Sequence, residues 1–282
     1  MAQRARSAND LKVATDAVTV GAAAHYRDAA YYDKTYGSRR ADVDYYVALA
    51  KKAPKKARGP VLEYGVGNGR VALKLAQAGI DVVGIDASRQ MLEDLEVKLA
   101  STPRLKGRVT TTLGDMRRVK LKRRFPLIIA PFNVVLHLYT REDVEQFLTR
   151  VREHLAPGGW FIFDFSAPKV ADLAVDPERK YGAPRVRHPS HGGVVKYTER
   201  FEYDDWRQTL WCLMEFSPLD GSPSWEVPLA HRQFFPQEMA ALLHYNGFPD
   251  QVWTQDFTPQ PATAQADSLV VACRAAKRRW SR

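Results

Sequence analysis

Apolar positions along the chain fall into two regimes, and the first runs from residue 59 to 168. After the break at Gly59-Pro60 comes Val61-Leu62, then a glycine turn. Val71, Ala72 and Leu75 then share a helical face, with Gly79 placed to stop that helix. A second apolar run over 82–85 ends at Asp86, and Ser88 can cap a helix in which Met91, Leu92, Leu95 and Leu99 recur at helical spacing. The alternation continues with 109–113 before Gly114-Asp115 and with 127–132 before Asn133. Thr140 and Asp143 then form a capping-box start for a helix presenting Val144, Phe147, Leu148, Val151 and Leu155, which Gly158-Gly159 would end. The unbroken run 160–165 reads as a strand buried on both faces. Five strands separated by helices predict an α/β fold with a doubly wound, mostly parallel sheet.

Past Pro168 the period shortens to two. Tyr197, Phe201 and Tyr203 alternate with polar neighbours, as do Leu210, Cys212, Met214 and Phe216, and 225–235 can supply a third strand. Residues 169–235 are therefore expected to form an antiparallel β insertion. Pro236 opens a helix over QEMAALLHYNGF, and 252–257 and 268–274 supply two last strands, so 236–276 returns to the core begun at 59–168. Ahead of that core, 25–58 is helical and aromatic, with Tyr46, Leu49 and Ala50 on one face. The Ala-rich stretch 1–24 reads as a mobile arm and 277–282 as a basic tail.

Composition narrows the class. With 282 residues and 45% hydrophobic content the chain can bury a sizeable core, best arranged as one domain with an insertion. No stretch approaches the ~20 apolar residues of a membrane span, and the opening residues lack the apolar core of a secretory signal, so a cytoplasmic protein without a membrane partner is expected. Cys212 and Cys273 have no neighbours at metal-ligand spacing, which leaves no disulfide framework and no metal site; both thiols are expected buried and inert. The net charge of +10 raises nucleic acid or an acidic partner. The basic runs 51–58, 117–124 and 277–282 all fall in apparent loops or ends, however, and read as solvated surface. PFNV follows the fourth strand, not the Asn/Asp-Pro-Pro-aromatic quartet of amino-methylating nucleic-acid enzymes. Nucleic acid is therefore not the expected partner, and an RNA binder or an enzyme acting on RNA stands as the alternative of another class.

A strand, a glycine turn and a helix bring backbone close to a ligand, because a side chain at Gly65 or Gly67 would occupy the ligand's space. A dinucleotide site needs G-x-G-x-x-G, whereas this turn runs Gly65-Val66-Gly67-Asn68-Gly69 and puts Arg70 at the third glycine position. Asp86, at the end of the second strand, can accept both hydroxyl protons of a ribose. The third strand ends Gly114-Asp115-Met116, offering a carboxylate to an adenine amino group and a flat apolar side chain to its ring.

Together, EYGVGNGR, GIDAS and GDMR resemble motifs I, II and III of class I, Rossmann-like methyltransferases that use S-adenosylmethionine. Beyond the motifs, over most of 25–275, the arrangement is similar to the glycine N-methyltransferase and aminosugar N,N-dimethyltransferase type. The resemblance implies a seven-stranded sheet of order 3-2-1-4-5-7-6 with an acceptor lid built from 25–58 and 169–235. It implies that Glu63, Gly65, Gly67 and Gly69 surround the methionyl part of the cofactor, that Asp86 with Ala87 holds the ribose, and that Asp115 and Met116 hold the adenine. S-adenosyl-L-homocysteine would be the product, with no metal required. Tyr32 and Arg40 would close over the cofactor, Arg40 pairing its carboxylate, with Arg39 an equal alternative. Asn133 and Arg232 match acceptor-facing residues, and His137 or His231 can serve as a base. The acceptor would be a small molecule, first an amine of an amino acid, peptide-like metabolite or aminosugar; O-methylation of a secondary metabolite is the competing reading. A homodimer is left open.

Overall fold

The computed structural model describes residues 20–21, 23–52, 59–182 and 184–276. Most of the expected arm, all of the basic tail and the run 53–58 lie outside the described residues. In chain order a 3-10 turn (Ala24–Arg27) leads to α1 (Ala29–Tyr36) and α2 (Ala41–Lys52). Then come β1 (Val61–Tyr64), α3 (Ala72–Gln77), β2 (Val82–Asp86), α4 (Arg89–Ala100), β3 (Val109–Leu113) and β4 (Phe125–Ala130). A second 3-10 turn (Val134–His137), α5 (Arg141–His154) and β5 (Leu155–Ser166) complete the run of alternating elements. They are followed by α6 (Val170–Leu173), β6 (Tyr181–Gly182), β7 (Val186–Arg187), β8 (Val194–Asp204), β9 (Thr209–Pro218) and β10 (Trp225–Arg232). The chain closes with α7 (Pro236–Tyr245), β11 (Asp250–Gln255) and β12 (Ser268–Arg274).

The described residues fall into two compact units, one within 33–168 and 234–276 and one within 20–32 and 169–233. The first holds a seven-stranded sheet of order β11-β12-β5-β4-β1-β2-β3, which is the expected 3-2-1-4-5-7-6 arrangement. β1, β2, β3, β4 and β5 run parallel, and β12 runs antiparallel to both β5 and β11. The apolar runs dictate this: β1 is buried along its whole length and β5 from Phe161 to Phe165, as strands covered on both faces must be. One core layer gathers Leu62, Tyr64, Phe147, Phe161 and Phe163 under α5 and α7; the other gathers Tyr46, Leu75, Leu95 and Ile129 under α2, α3 and α4. The capping box at Thr140 and Asp143 and the Ser88 cap are both formed.

Element ends depart from the periodicity wherever backbone conformation, not polarity, ends them. Gly158-Gly159 does not terminate α5; the helix stops at His154 and passes directly into β5, where Leu155 already pairs with Phe125. The fourth strand spans 125–130, not 127–132, because Phe132 and Asn133 are left-handed at φ 61° and 66°. Asp256 and Phe257, at φ 50° and 59°, likewise stop β11 short of 257. Lys122, Arg123 and Arg124 precede β4 and Arg104, Lys106 and Arg108 precede β3, so this basic surface lies at the amino ends of the parallel strands.

The second unit is built on the antiparallel path β10-β9-β8-β6, with β7 also on β8. β8 and β9 form a long hairpin with Tyr197 opposite Phe216 and Asp204 opposite Thr209. The third strand of the insertion ends at Arg232, short of 235. Cys273 is buried as expected and its thiol is pushed up by burial, but Cys212 is only partly buried, on this second sheet. Among the described residues no helix is long and apolar enough to cross a membrane, and no cluster of His, Cys, Asp or Glu could hold a metal.

Candidate active site

The carboxyl ends of β1, β2 and β4 converge on the glycine turn. Gly65, Gly67 and Gly69 all have left-handed φ, at 66°, 52° and 86°, where side chains with a Cβ are strained. Their surroundings differ. A Cβ on Gly65 would lie 2.3 Å from Val134 Cγ2, and one on Gly69 would lie 2.4 Å from Leu95 Cδ1. Those two glycines are required by the protein's own packing, which corrects the sequence-based reason for Gly65. At Gly67 a Cβ meets only Met91 Cε at 3.4 Å, so the turn is open on that side. The Gly67 amide donates to Asp86 Oδ2 at 2.7 Å and the Ser88 amide to Oδ1 at 2.8 Å, tying the end of β2 to the turn. Burial pushes the Asp86 carboxyl up, against the Ser88 and Gly67 hydrogen bonds that favour its charged form. Each oxygen still has acceptor capacity, as a ribose diol requires.

Glu63, on β1 below the turn, is 2% exposed, and its Oε2 has no hydrogen-bond partner among the described residues. Burial holds its carboxyl well above the usual range, with the Arg70 charge acting the other way. A buried polar atom left unpaired costs free energy, so this one marks where a ligand donor can be received. Arg70 is no mere substitute for a glycine. Its guanidinium forms a fork with the buried carboxylate of Asp42 on α2 and lies 4.4 Å from the centroid of the Phe132 ring. Asn68 is strapped by its Nδ2 to Asp33 at 2.8 Å, and Lys98 pairs with the same Asp33.

The left-handed Phe132-Asn133 corner is held from both sides. The Phe132 amide donates to both oxygens of Asp164 on β5 at 3.0 Å, and Tyr46 from α2 donates its hydroxyl to Asp164 at 2.6 Å. Burial pushes Asp164 up to about 7 against those hydrogen bonds. Asn133 Oδ1 accepts from the Ser166 amide at 2.7 Å and from its hydroxyl at 3.2 Å. The sequence places Tyr46 only on a packing face and gives no role to Asp164 or Asp42; a lone Asp inside the apolar run WFIFDF was the signal available.

The remaining candidates are placed as follows. Asp115, at the end of β3, is gripped through both oxygens by Arg117, which also pairs with Asp143 of the α5 cap. Burial would raise the Asp115 carboxyl, but the hydrogen bonds and charge of Arg117 outweigh it and hold it low. Met116 packs against the core and Ala87 is exposed. Arg39 and Arg40 are both exposed; Arg40 lies 4.0 Å from Asp44, and Arg39 lies 5.4 Å from the ring centroids of both Tyr36 and Phe132. His137 Nδ1 is 3.1 Å from the Tyr139 hydroxyl. In the second unit, Tyr32 is buried in a ring cluster with His25 and Tyr26. Arg232 is 9% exposed, with its guanidinium bonded to Gln208 and to the Gln233 carbonyl. His231 sits on β10 opposite Leu210.

Residues 61–159, which carry this turn and the carboxyl ends of β1 to β4, match the family model described as a methyltransferase domain. The chain is 33% identical over 108 residues to the cypemycin N-terminal methyltransferase of a Streptomyces species, covering 38% of this chain and 42% of that one. Its fold is similar to that of the CcbJ methyltransferase from Streptomyces caelestis, with a TM-score of 0.69 and 26% identity over 84% of this chain and 89% of that one. It is also similar to S-adenosylmethionine-bound CalS10, an amino pentose methyltransferase from Micromonospora echinaspora, with a TM-score of 0.63 and 19% identity over 86% of this chain and 96% of that one. Matching domain, strand order and an open glycine turn flanked by carboxylates agree: residues 61–159 carry a methyltransferase domain, and the fold is that of the class I S-adenosylmethionine-dependent methyltransferases.

Proposed function

We propose that the chain methylates an amine nitrogen of a small molecule: an amino acid, a peptide-like metabolite or an aminosugar. The observation that carries this reading is the braced corner at Phe132-Asn133, after β4, whose Asn133 carboxamide is fixed by Ser166 at the end of β5. A carboxamide orients an acceptor without taking its proton. A neutral amine needs only orientation, whereas a hydroxyl usually needs a base as well. Two of the similar proteins, by their names an amino pentose methyltransferase and an N-terminal methyltransferase, favour nitrogen as well.

In this reading the cofactor supplies an electrophilic methyl carbon on a sulfonium. Unpaired Glu63 receives a donor of the methionyl part, the open face of Gly67 admits its backbone-hugging chain, and Asp86 takes the ribose hydroxyls. Met116 lies against the adenine ring. The amino edge meets an Asp115 carboxylate already steadied by Arg117, which keeps it charged at neutral pH. The position of Arg39 beside Phe132 supports Arg39 over Arg40 as partner of the cofactor's carboxylate. His137 is retained as a polar contact for the acceptor. With two nitrogens committed to Gln208 and Gln233, Arg232 serves the end of β10 and is set aside as an acceptor contact.

Incubating the full chain with methyl-labelled cofactor and a panel of amines, peptides and phenols, and mapping label by mass spectrometry, tests the proposal. Label on nitrogen is the expected result. Label confined to oxygen, or to RNA, overturns it.

A further inference from the structure

Arg124 stands where the chain enters β4, at the end of the core sheet opposite the glycine turn. Beside it the pairing of β4 with β5 breaks. Phe125 faces Leu155 and Leu127 faces Trp160, so Pro126 alone spans residues 156–159 of β5. Pro126 has no amide to donate to that ladder, and 156–159 bulge from it, with Gly158 left-handed at φ 73°. Between this bulge, the last turn of α5 and residues 275–276 beyond β12 lies a cavity of about 670 Å³, lined entirely by residues of the core unit. Its wall is tied together across elements. The Ala276 amide donates to the Gly247 carbonyl at 2.9 Å, and the Arg152 guanidinium lies over Gly247, where a Cβ would be 3.3 Å from its Cζ.

Three charged side chains line the cavity: Arg124, Arg152 and Glu153. Glu153 is already held by Arg150, at 2.7 and 2.8 Å. Thr149 spends its hydroxyl proton on the Glu145 carbonyl at 2.8 Å, and the carboxyl end of α5 presents carbonyls, so the cavity's donors are its guanidinium groups. Neither Arg124 nor Arg152 has a hydrogen bond or an ion pair with another side chain among the described residues. Two positive charges are therefore left uncompensated in one cavity. Arg123 over the Phe125 ring and Arg274 over the Trp160 ring, each next in the chain to a lining residue, raise the local potential further.

Two cations match a dianion better than a carboxylate, and the planar guanidinium fork matches phosphate oxygens in two-point contact. The volume falls within the roughly 300–1,000 Å³ of small-molecule sites, which leaves room for more than a bare phosphate. A nucleic-acid strand is tracked along a groove, whereas these donors share one cavity. We propose that this cavity binds a phosphorylated small molecule, with Arg124 and Arg152 receiving the phosphate dianion and the 156–159 bulge bordering its organic body. The site lies at the other end of the strands from the glycine turn, and it does not depend on the identity of the methyl acceptor.

Calorimetry on the full chain at about pH 8, above the second phosphate pKa of about 6, provides the test, with phenyl phosphate against its monoanionic near-isostere phenyl sulfate. Phenyl phosphate is expected to bind at least about tenfold more tightly. Arg124→Gln and Arg152→Gln should each weaken it about tenfold while melting like the wild type, since both side chains are exposed. Arg104→Gln, on the same basic end of the sheet but outside the cavity, should change nothing. Equal affinity of the wild-type chain for the two probes overturns the proposal without recourse to any variant, as does binding that survives both cavity substitutions. An equal loss in Arg104→Gln would show a diffuse surface field in place of a site. A single-stranded RNA oligomer that binds more tightly than phenyl phosphate, and is lost in the same two variants, would reassign the arginines to a nucleic-acid surface and overturn it as well.

Discussion

Gly65 and Gly67 stand two residues apart in one turn, share a left-handed backbone, and are expected to fail for opposite reasons when given a methyl group. At either position alanine meets the left-handed penalty of about 1–2 kcal/mol. At Gly65 the new Cβ also lies 2.3 Å from Val134 Cγ2, inside the core beneath the 3-10 turn. Relieving that overlap adds about 1–3 kcal/mol of overpacking strain. Gly65→Ala should therefore lose about 2–5 kcal/mol of stability, a fall in Tm of roughly 4–10 °C for a chain of this size. At Gly67 the Cβ meets only Met91 Cε at 3.4 Å, so Gly67→Ala should melt within roughly 2–4 °C of wild type. Its methyl group would instead stand on the open face of the turn, where the cofactor is expected, and binding of S-adenosylhomocysteine should weaken at least about tenfold, on the order of 1.4 kcal/mol. Differential scanning fluorimetry and calorimetry on the two variants separate the effects. Gly67→Ala with wild-type affinity for the product would refute the placement of the cofactor over that residue. Wild-type melting of Gly65→Ala would refute the packing account.

Three further outcomes are expected. Asp86→Ala should weaken cofactor binding at least about tenfold and, by freeing the Gly67 and Ser88 amides, cost about 2–3 kcal/mol in urea unfolding; Asn133→Ala should spare cofactor affinity and lower turnover. The carboxyl of Asp164 keeps its proton in the folded chain up to about 7, against about 3.8 when unfolded, so the folded state binds more protons between those values. Its contribution is fully present below pH 4 and lost as pH rises through 7, by about 4 kcal/mol, and Asp164→Asn should flatten that slope in pH-dependent denaturation. Arg70→Met, which strands the buried Asp42 carboxylate, should destabilise by about 3–5 kcal/mol, and adding Asp42→Leu should restore most of the loss in a double-mutant cycle.

What could be read from the chain, and what could not, divides along a physical line. Period and polarity act locally, so the alternation from Val61 to Phe165 and the period-two runs of the insertion placed the strands and helices, while the order of the strands in the sheet came from the resemblance. Element ends were misplaced where the cause is a backbone angle on an ordinary residue: nothing in the letters Phe132-Asn133 or Asp256-Phe257 announces a left-handed corner. The same holds inside the site. Asp86 was legible because its partners, Gly67 and Ser88, follow from a strand end meeting a glycine turn. Arg70 was visible only as a missing glycine, since its partner Asp42 lies 28 residues earlier on another helix. Asp164 was hidden by the apolar run around it, although a carboxylate buried there must find donors, and it finds Tyr46 across 118 residues of sequence. In the insertion, alternation assigns each side chain to a face, but which neighbours that face supplies depends on register, and register exists only after strands pair. Contacts written across strands in this way become readable only when the strands are assembled, whereas a glycine turn and the strand-end carboxylate it meets lie close together in the sequence.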